Sequence, residues 1–162
     1  MLAEAVAGLA DAGARSILVN VTLSDPDKDH PDDDAIFADV ARRTRPVVFP
    51  VTRLNPANDA LSQVAMTRFP GVVVRDPVAA AHPVALILPA FPATFDRLGF
   101  NTLSVDSDGV VRRFHPWIVE PGFAFPSQAL RTLQVAGGGR SIGPDDDPDF
   151  LWRLSHGDNN PR

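Results

Sequence analysis

The residues best suited to chemistry start with Gly139-Arg140-Ser141-Ile142-Gly143, which has the G-x-S-x-G spacing of a hydrolase nucleophile elbow. That chemistry needs a serine on a tight strand-to-helix turn, close to a histidine and an acid. Here the five residues follow a predicted helix and lead into an acidic, proline-containing stretch, with His156 further on. A flexible glycine loop accounts for the same residues. A small serine hydrolase using Ser141 is the enzyme alternative that this pattern leaves.

Two groups of acids invite a metal. Asp25, Asp27, Asp29, His30 and Asp32 to Asp34 offer oxygen ligands to a hard cation, but a calcium loop also needs ordered spacing and a placed glycine, and this stretch has no glycine. A solvated loop leading into a helix cap is expected instead. Asp106-x-Asp108-Gly109 opens like a calcium loop and lacks the distal glutamate. Asp and Gly both tolerate positive φ, so a turn explains it. The histidines at 30, 82, 115 and 156 form no i, i+4 zinc pair, and His115, beside Phe114 and Pro116-Trp117, is expected to pack in a strand. No metal and no cofactor are expected. Arg112 and Arg113 follow the turn on adjacent positions, so in a strand they point to opposite faces. One of them could pair with a ligand carboxylate or with an aspartate of the domain, or they could guard an edge strand.

The elements that must position these groups alternate between helix and strand. Leu2, Ala5, Val6 and Leu9 mark one helical face, and Gly13 is a fitting stop. Ile17 to Val21 reads as a strand covered on both faces. After the acidic loop, Ile36, Phe37, Val40 and Ala41 resume helical spacing, with Asp32 to Asp34 suited to the helix start and one of them to its cap. Val47 to Val51 is a second buried strand, and the alternation indicates an α/β domain. A loop or short helix near Leu61 to Met66 and strands at Val72 to Val74 and Val84 to Leu88 come next, then a short helix from Pro92 to Leu98 halted by Gly99. Leu103 to Val119 reads as a hairpin about Asp106-Ser107-Asp108-Gly109. Pro126-Ser127 opens a helix bearing Ala129, Leu130, Leu133 and Ala136, which the glycines 137 to 139 end. Phe150 to Leu154 is a final edge-strand candidate.

Bulk composition narrows the function classes. The 162 residues suit one domain. Fifteen basic against twenty acidic residues give a formal charge of −5, and no basic stripe for nucleic acid is present. The chain has no cysteine, which removes a disulfide framework, a thiol nucleophile and thiolate metal sites. No apolar run reaches the roughly 18 residues of a membrane span. The N-terminal stretch carries acids and lacks the basic-then-apolar pattern of a signal peptide.

From Phe95 onward the chain resembles a known family. Phe95-Asp96-Arg97-Leu98-Gly99-Phe100-Asn101, then Asp106-Ser107-Asp108-Gly109-Val110-Val111-Arg112-Arg113, then Phe125-Pro126-Ser127-Gln128-Ala129-Leu130 resemble the signature of CHASE2 sensor domains. In that family a helix ending in Leu-Gly is followed by a strand, a D-x-D-G-V-x-R-R hairpin and a helix opened by Pro-Ser. Leu9 to Ile17 is similar to the family's first helix and strand. Asn20 stands where members often carry an aspartate. The earlier strand with its I-D-like element and the usual continuation beyond Asp158 are absent, so the sequence looks trimmed at both ends.

The resemblance implies an extracytoplasmic, periplasmic sensor, joined through membrane helices outside this chain to a cyclase or kinase. The expected fold is a three-layer α/β sandwich with a mixed central sheet and a C-terminal hairpin, one domain over residues 1–162. The expected partners are an unidentified small-molecule ligand and a second copy in a homodimer, with no nucleic acid. A purely structural dimerisation domain is a further alternative. Open α/β sheets bind ligands at strand ends and adjoining loops, so Asn20, Asp106, Asp108, Arg112 and Arg113 are the candidate contacts.

Overall fold

The computed structural model describes residues 1–137, apart from 45, 104 and 113 and the side chain of Ala93. Helix α1 (Leu2–Asp11) precedes strand β1 (Ile17–Leu18), and helix α2 (Pro31–Arg43) leads into strand β2 (Val47–Arg53). Two 3₁₀ turns, Pro56–Leu61 and Met66–Arg68, come before strand β3 (Val73–Val74) and the single-turn helix α3 (Pro77–Ala80). Strand β4 (Leu86–Ile87), the 3₁₀ turn Pro92–Arg97 and strand β5 (Leu98–Phe100) follow. Strands β6 (Trp117–Glu120) and β7 (Phe123–Pro126) form a hairpin, and helix α4 (Gln128–Ala136) closes the described chain.

The α/β class holds, but the single expected sheet is two. A mixed sheet is built around β2, which pairs parallel with β1 and β5 and antiparallel with β4; a separate antiparallel sheet has the order β3-β7-β6. Hydrogen-bond direction shows how β2 serves three neighbours. The Val48 carbonyl accepts from Val19 and the Leu54 N–H donates to Ala85, whereas the Val51 carbonyl accepts from Asn101. Because successive residues face opposite edges, β1 and β4 lie in series along one edge of β2 and β5 lies along the other. Pro50 falls on the β1/β4 edge, in the gap between those ladders, where no N–H is needed.

Val47, Val48, Phe49 and Val51 are each at most 1% exposed, so β2 is the buried centre that its apolar run predicts. β1 is not: Ile17 is buried but Leu18 is 44% exposed, so only one face is covered. The main core joins Val6 of α1 and Phe37 and Ala41 of α2 to β2, β5 and β7. Edge-to-face ring pairs run from Phe49 to Phe37 to Phe91, at 5.9 and 5.5 Å. Phe100 and Phe125, 5.2 Å apart, join β5 of one sheet to β7 of the other.

Several expectations shift. In α1 only Val6 of the predicted stripe is buried; Ala3 and Ala10 pack with it, and Leu9 is 51% exposed. In α2, Phe37 and Ala41 are buried while Ile36 is 55% exposed. No aspartate caps α2: His30 is the N-cap residue without a side-chain bond, and Pro31, which lacks an N–H, opens the helix. Gly99 halts no helix; it lies inside β5. The expected hairpin about Asp106 to Gly109 is a tight turn closed by Asp106 N–H to Val110 O at 3.0 Å, with no strand on either side among the described residues. The laddered hairpin is β6–β7 instead, and His115 is exposed just before it. In α4, Leu130 is buried and Leu133 is 64% exposed. The edge strand expected at Phe150 to Leu154 lies outside the described residues.

Candidate functional site

The turn at Asp106 to Gly109 gathers three of the five candidate residues. Gly109 has φ of 83°, the left-handed region that closes the turn, and its N–H donates to the Asp106 carbonyl at 2.9 Å. Arg112 returns onto the turn with a two-pronged contact to Asp108, Nη1 to Oδ1 at 2.9 Å and Nη2 to Oδ2 at 2.6 Å, and a third bond from Nη1 to Asp106 Oδ2 at 3.2 Å. The Arg112 guanidinium, then the Val110 N–H, hold the Asp108 carboxyl below its ordinary value; the carboxylates of Asp108 and Asp106 raise Arg112 in turn. A ligand carboxylate at Arg112 would therefore have to displace an internal one. Asn20 is exposed beyond the end of β1, with no hydrogen bond to this cluster among the described residues. Arg113 lies outside the described residues, as do Ser141 and His156.

The acidic loop is organised by its own side chains. Asp27 Oδ1 accepts from the N–H groups of Asp29 and His30 at 2.9 and 3.0 Å, and Asp34 Oδ2 accepts from the Asp27 N–H at 2.6 Å. The His30 and Asp29 backbone donors lower the Asp27 carboxyl. Among the described residues, no three acids or histidines converge closely enough to hold a metal ion.

A part-buried charge cluster at the end of β2 escapes sequence reasoning. The Arg53 side chain is only 7% exposed. It meets both oxygens of Asp59 at 2.6 and 2.7 Å and both of Glu120 at 3.0 and 3.4 Å; Nη1 also reaches the carbonyls of Leu54 and Ala85. Those partners occupy all five guanidinium N–H groups, leaving none for a ligand. Asp59 Oδ1 accepts in addition from the Ala85 N–H at 2.7 Å. Arg53 holds the Asp59 carboxyl down against the opposing effect of burial, and is itself raised, first by Asp59. The cluster is a clamp between the two sheets. An arginine ending an apolar strand is its one local signal, and nothing in the spacing foretells Glu120.

Helix α4 completes the strand-end region. Ser127 caps it, its Oγ accepting from the Leu130 N–H at 3.2 Å, as Pro126-Ser127 predicts. Gln128, 5% exposed, donates to the Val19 carbonyl at 2.8 Å. The helix touches β1, β2, β5 and β7 and so rests on both sheets. Arg131 donates to the Asp96 carbonyl at 2.7 Å; burial lowers its guanidinium.

The fold is an α/β domain of one mixed and one antiparallel sheet, with α4 resting on both. The model of the CHASE2 domain family matches residues 1–157, so the chain belongs to that family. CHASE2 domains are extracytoplasmic sensor domains, sensory rather than catalytic. No curated protein matches the chain, and no solved structure does. Among the described residues no helix is long and apolar enough to cross a membrane.

Proposed function

We propose that this domain senses a small molecule on the periplasmic side of the inner membrane, as part of a bacterial transmembrane receptor whose cytoplasmic cyclase or kinase lies outside this chain. The observation that carries the reading is the family match over residues 1–157. The position of α4 supports it: a helix resting on both sheets moves if their packing changes. A ligand drives such a change only by binding one of two arrangements more tightly. The test is a pair of reporter fusions to the domain within the whole gene product. An active alkaline phosphatase and a dark green fluorescent protein are expected; the reverse pattern overturns the reading.

Asn20, Asp106, Asp108, Arg112 and Arg113 stand as candidate ligand contacts within this proposal. Alanine at all five should abolish the response of the full receptor, and an unchanged response removes them. Homodimerisation is a second reading, favoured by one observation: Leu103, Val105, Val110, Val111 and Phe114, flanking the turn, are 43–58% exposed. Clustered exposed apolar side chains mark association surfaces. Sedimentation of the purified chain is expected to show a dimer that Val111→Asp with Phe114→Asp dissociates; a monomeric wild type rejects this reading.

A further inference from the structure

The turn at Asp106 to Gly109 joins two limbs whose apolar side chains are open to solvent. Leu103 and Val105 before it, and Val110, Val111 and Phe114 after it, each leave 43–58% of their surface uncovered. Arg112 braces the turn. From the second limb it bonds Asp106 on the first and both carboxylate oxygens of Asp108 at the tip, at 2.6 to 3.2 Å. The Arg112 and Asp108 side chains are 54% and 52% exposed, and ion pairs so placed add little to folding stability. Their larger consequence is the charge that this surface presents to a partner.

Residues 102–116 hold two aspartates and two arginines, so their formal charge is zero in a chain of −5. A two-fold contact sets a patch against its own copy. Any net charge near the axis therefore meets the same charge, and like charges facing each other weaken association. A neutral apolar stretch in an otherwise acidic chain meets the condition that a second copy imposes. An anionic lipid surface fits less well, because the carboxylates of Asp106 and Asp108 stand at the tip and would be pushed against its phosphates.

We infer that the apolar residues flanking the turn join a second copy of this chain across a two-fold axis, and that Arg112 permits the contact by cancelling the charge of Asp106 and Asp108. The inference rests on the homodimer reading and adds to it the residue that controls association. Without Arg112 each copy brings a net negative charge to the axis. Sedimentation of the purified chain over a range of concentrations tests this. Arg112→Gln is expected to raise the dimer dissociation constant about tenfold at low salt, and less at high salt, where the repulsion is screened. Arg112→Lys keeps the charge and gives up the two-pronged geometry, and should stay within about threefold of the wild type. Arg42→Gln removes the same charge from a side chain 63% exposed on α2 and should leave association unchanged. Far-ultraviolet circular dichroism is expected to be the same for all three variants, so that a weaker dimer is not a misfolded one. Equal weakening by Arg42→Gln, or a loss in Arg112→Gln that salt does not lessen, overturns the inference. So does a wild-type chain that stays monomeric and pellets with phosphatidylglycerol vesicles, because the apolar limbs would then serve a lipid surface. A monomeric wild type ends the homodimer reading along with the inference; a wild-type dimer indifferent to Arg112→Gln ends the inference alone.

Discussion

Gly99 and Gly109 are glycines for different physical reasons, and substitution separates them. A Cβ at Gly99 would lie 2.5 Å from Gln128 Cα and 2.9 Å from its backbone nitrogen. Backbone cannot yield as a flexible side chain does, so Gly99→Ala must push α4 away from β5. A loss of about 3 kcal/mol is expected, at the upper end for overpacking. At Gly109 nothing lies within 4 Å and only the positive φ resists, so Gly109→Ala should lose about 1 to 2 kcal/mol. Urea unfolding of both variants checks the order; equal losses would contradict the close approach of α4. Arg53 makes the third case at this scale. Asp59→Ala leaves a buried guanidinium short of a partner, which typically costs 3–5 kcal/mol. About 2 to 3 kcal/mol is expected here, because Asp59 and Glu120 keep 28% and 20% of their side-chain surface. A loss below about 0.5 kcal/mol would class the contact with ordinary surface pairs.

Among the elements, α4 shows what local sequence decides. Its start is legible in Pro126-Ser127 because capping is settled within four residues. Ser127→Ala should lose about 1 kcal/mol by freeing the Leu130 N–H, read as a lower melting temperature; no change would mean that another acceptor takes that N–H. The buried face of the same helix is not legible. Leu133 looks like core by spacing and is exposed, while the polar Gln128 is buried because the Val19 carbonyl awaits it. The two turns diverge in the same way. Asp106 to Gly109 has the stronger turn signal, yet the ladder forms at β6–β7, where Ala124 and Phe125 find neighbours to pack against.

For the whole molecule, acid response follows from the clamp between the sheets. The Asp59 carboxyl sits below its ordinary 3.8 in the folded chain because Arg53 bonds its charged form. A group lowered by folding stabilises the fold above its unfolded value and loses that contribution as pH falls through the folded one. Stability is therefore expected to decline below about pH 4. Asp27, Asp39 and Asp108 shift in the same direction, but Asp27 and Asp108 are exposed and the arginines paired with Asp39 are 63% and 72% exposed, so salt screens these contacts. Urea midpoints measured from pH 5 to pH 2 should fall less steeply in Asp59→Asn than in the wild type. Equal slopes would remove Asp59 from the acid response.

The amino-acid order alone determined the alternation of helix and strand, the buried run Val47 to Val51, the turn at Gly109, the cap at Ser127 and the family. Each depends on backbone preferences or apolar runs spanning a few residues. Tertiary structure alone decided that there are two sheets, that Pro50 sits in a gap between ladders, and that Arg53 meets Glu120. Those outcomes depend on which distant segments close onto one another. Contact across 67 positions between Arg53 and Glu120 leaves no periodicity to read.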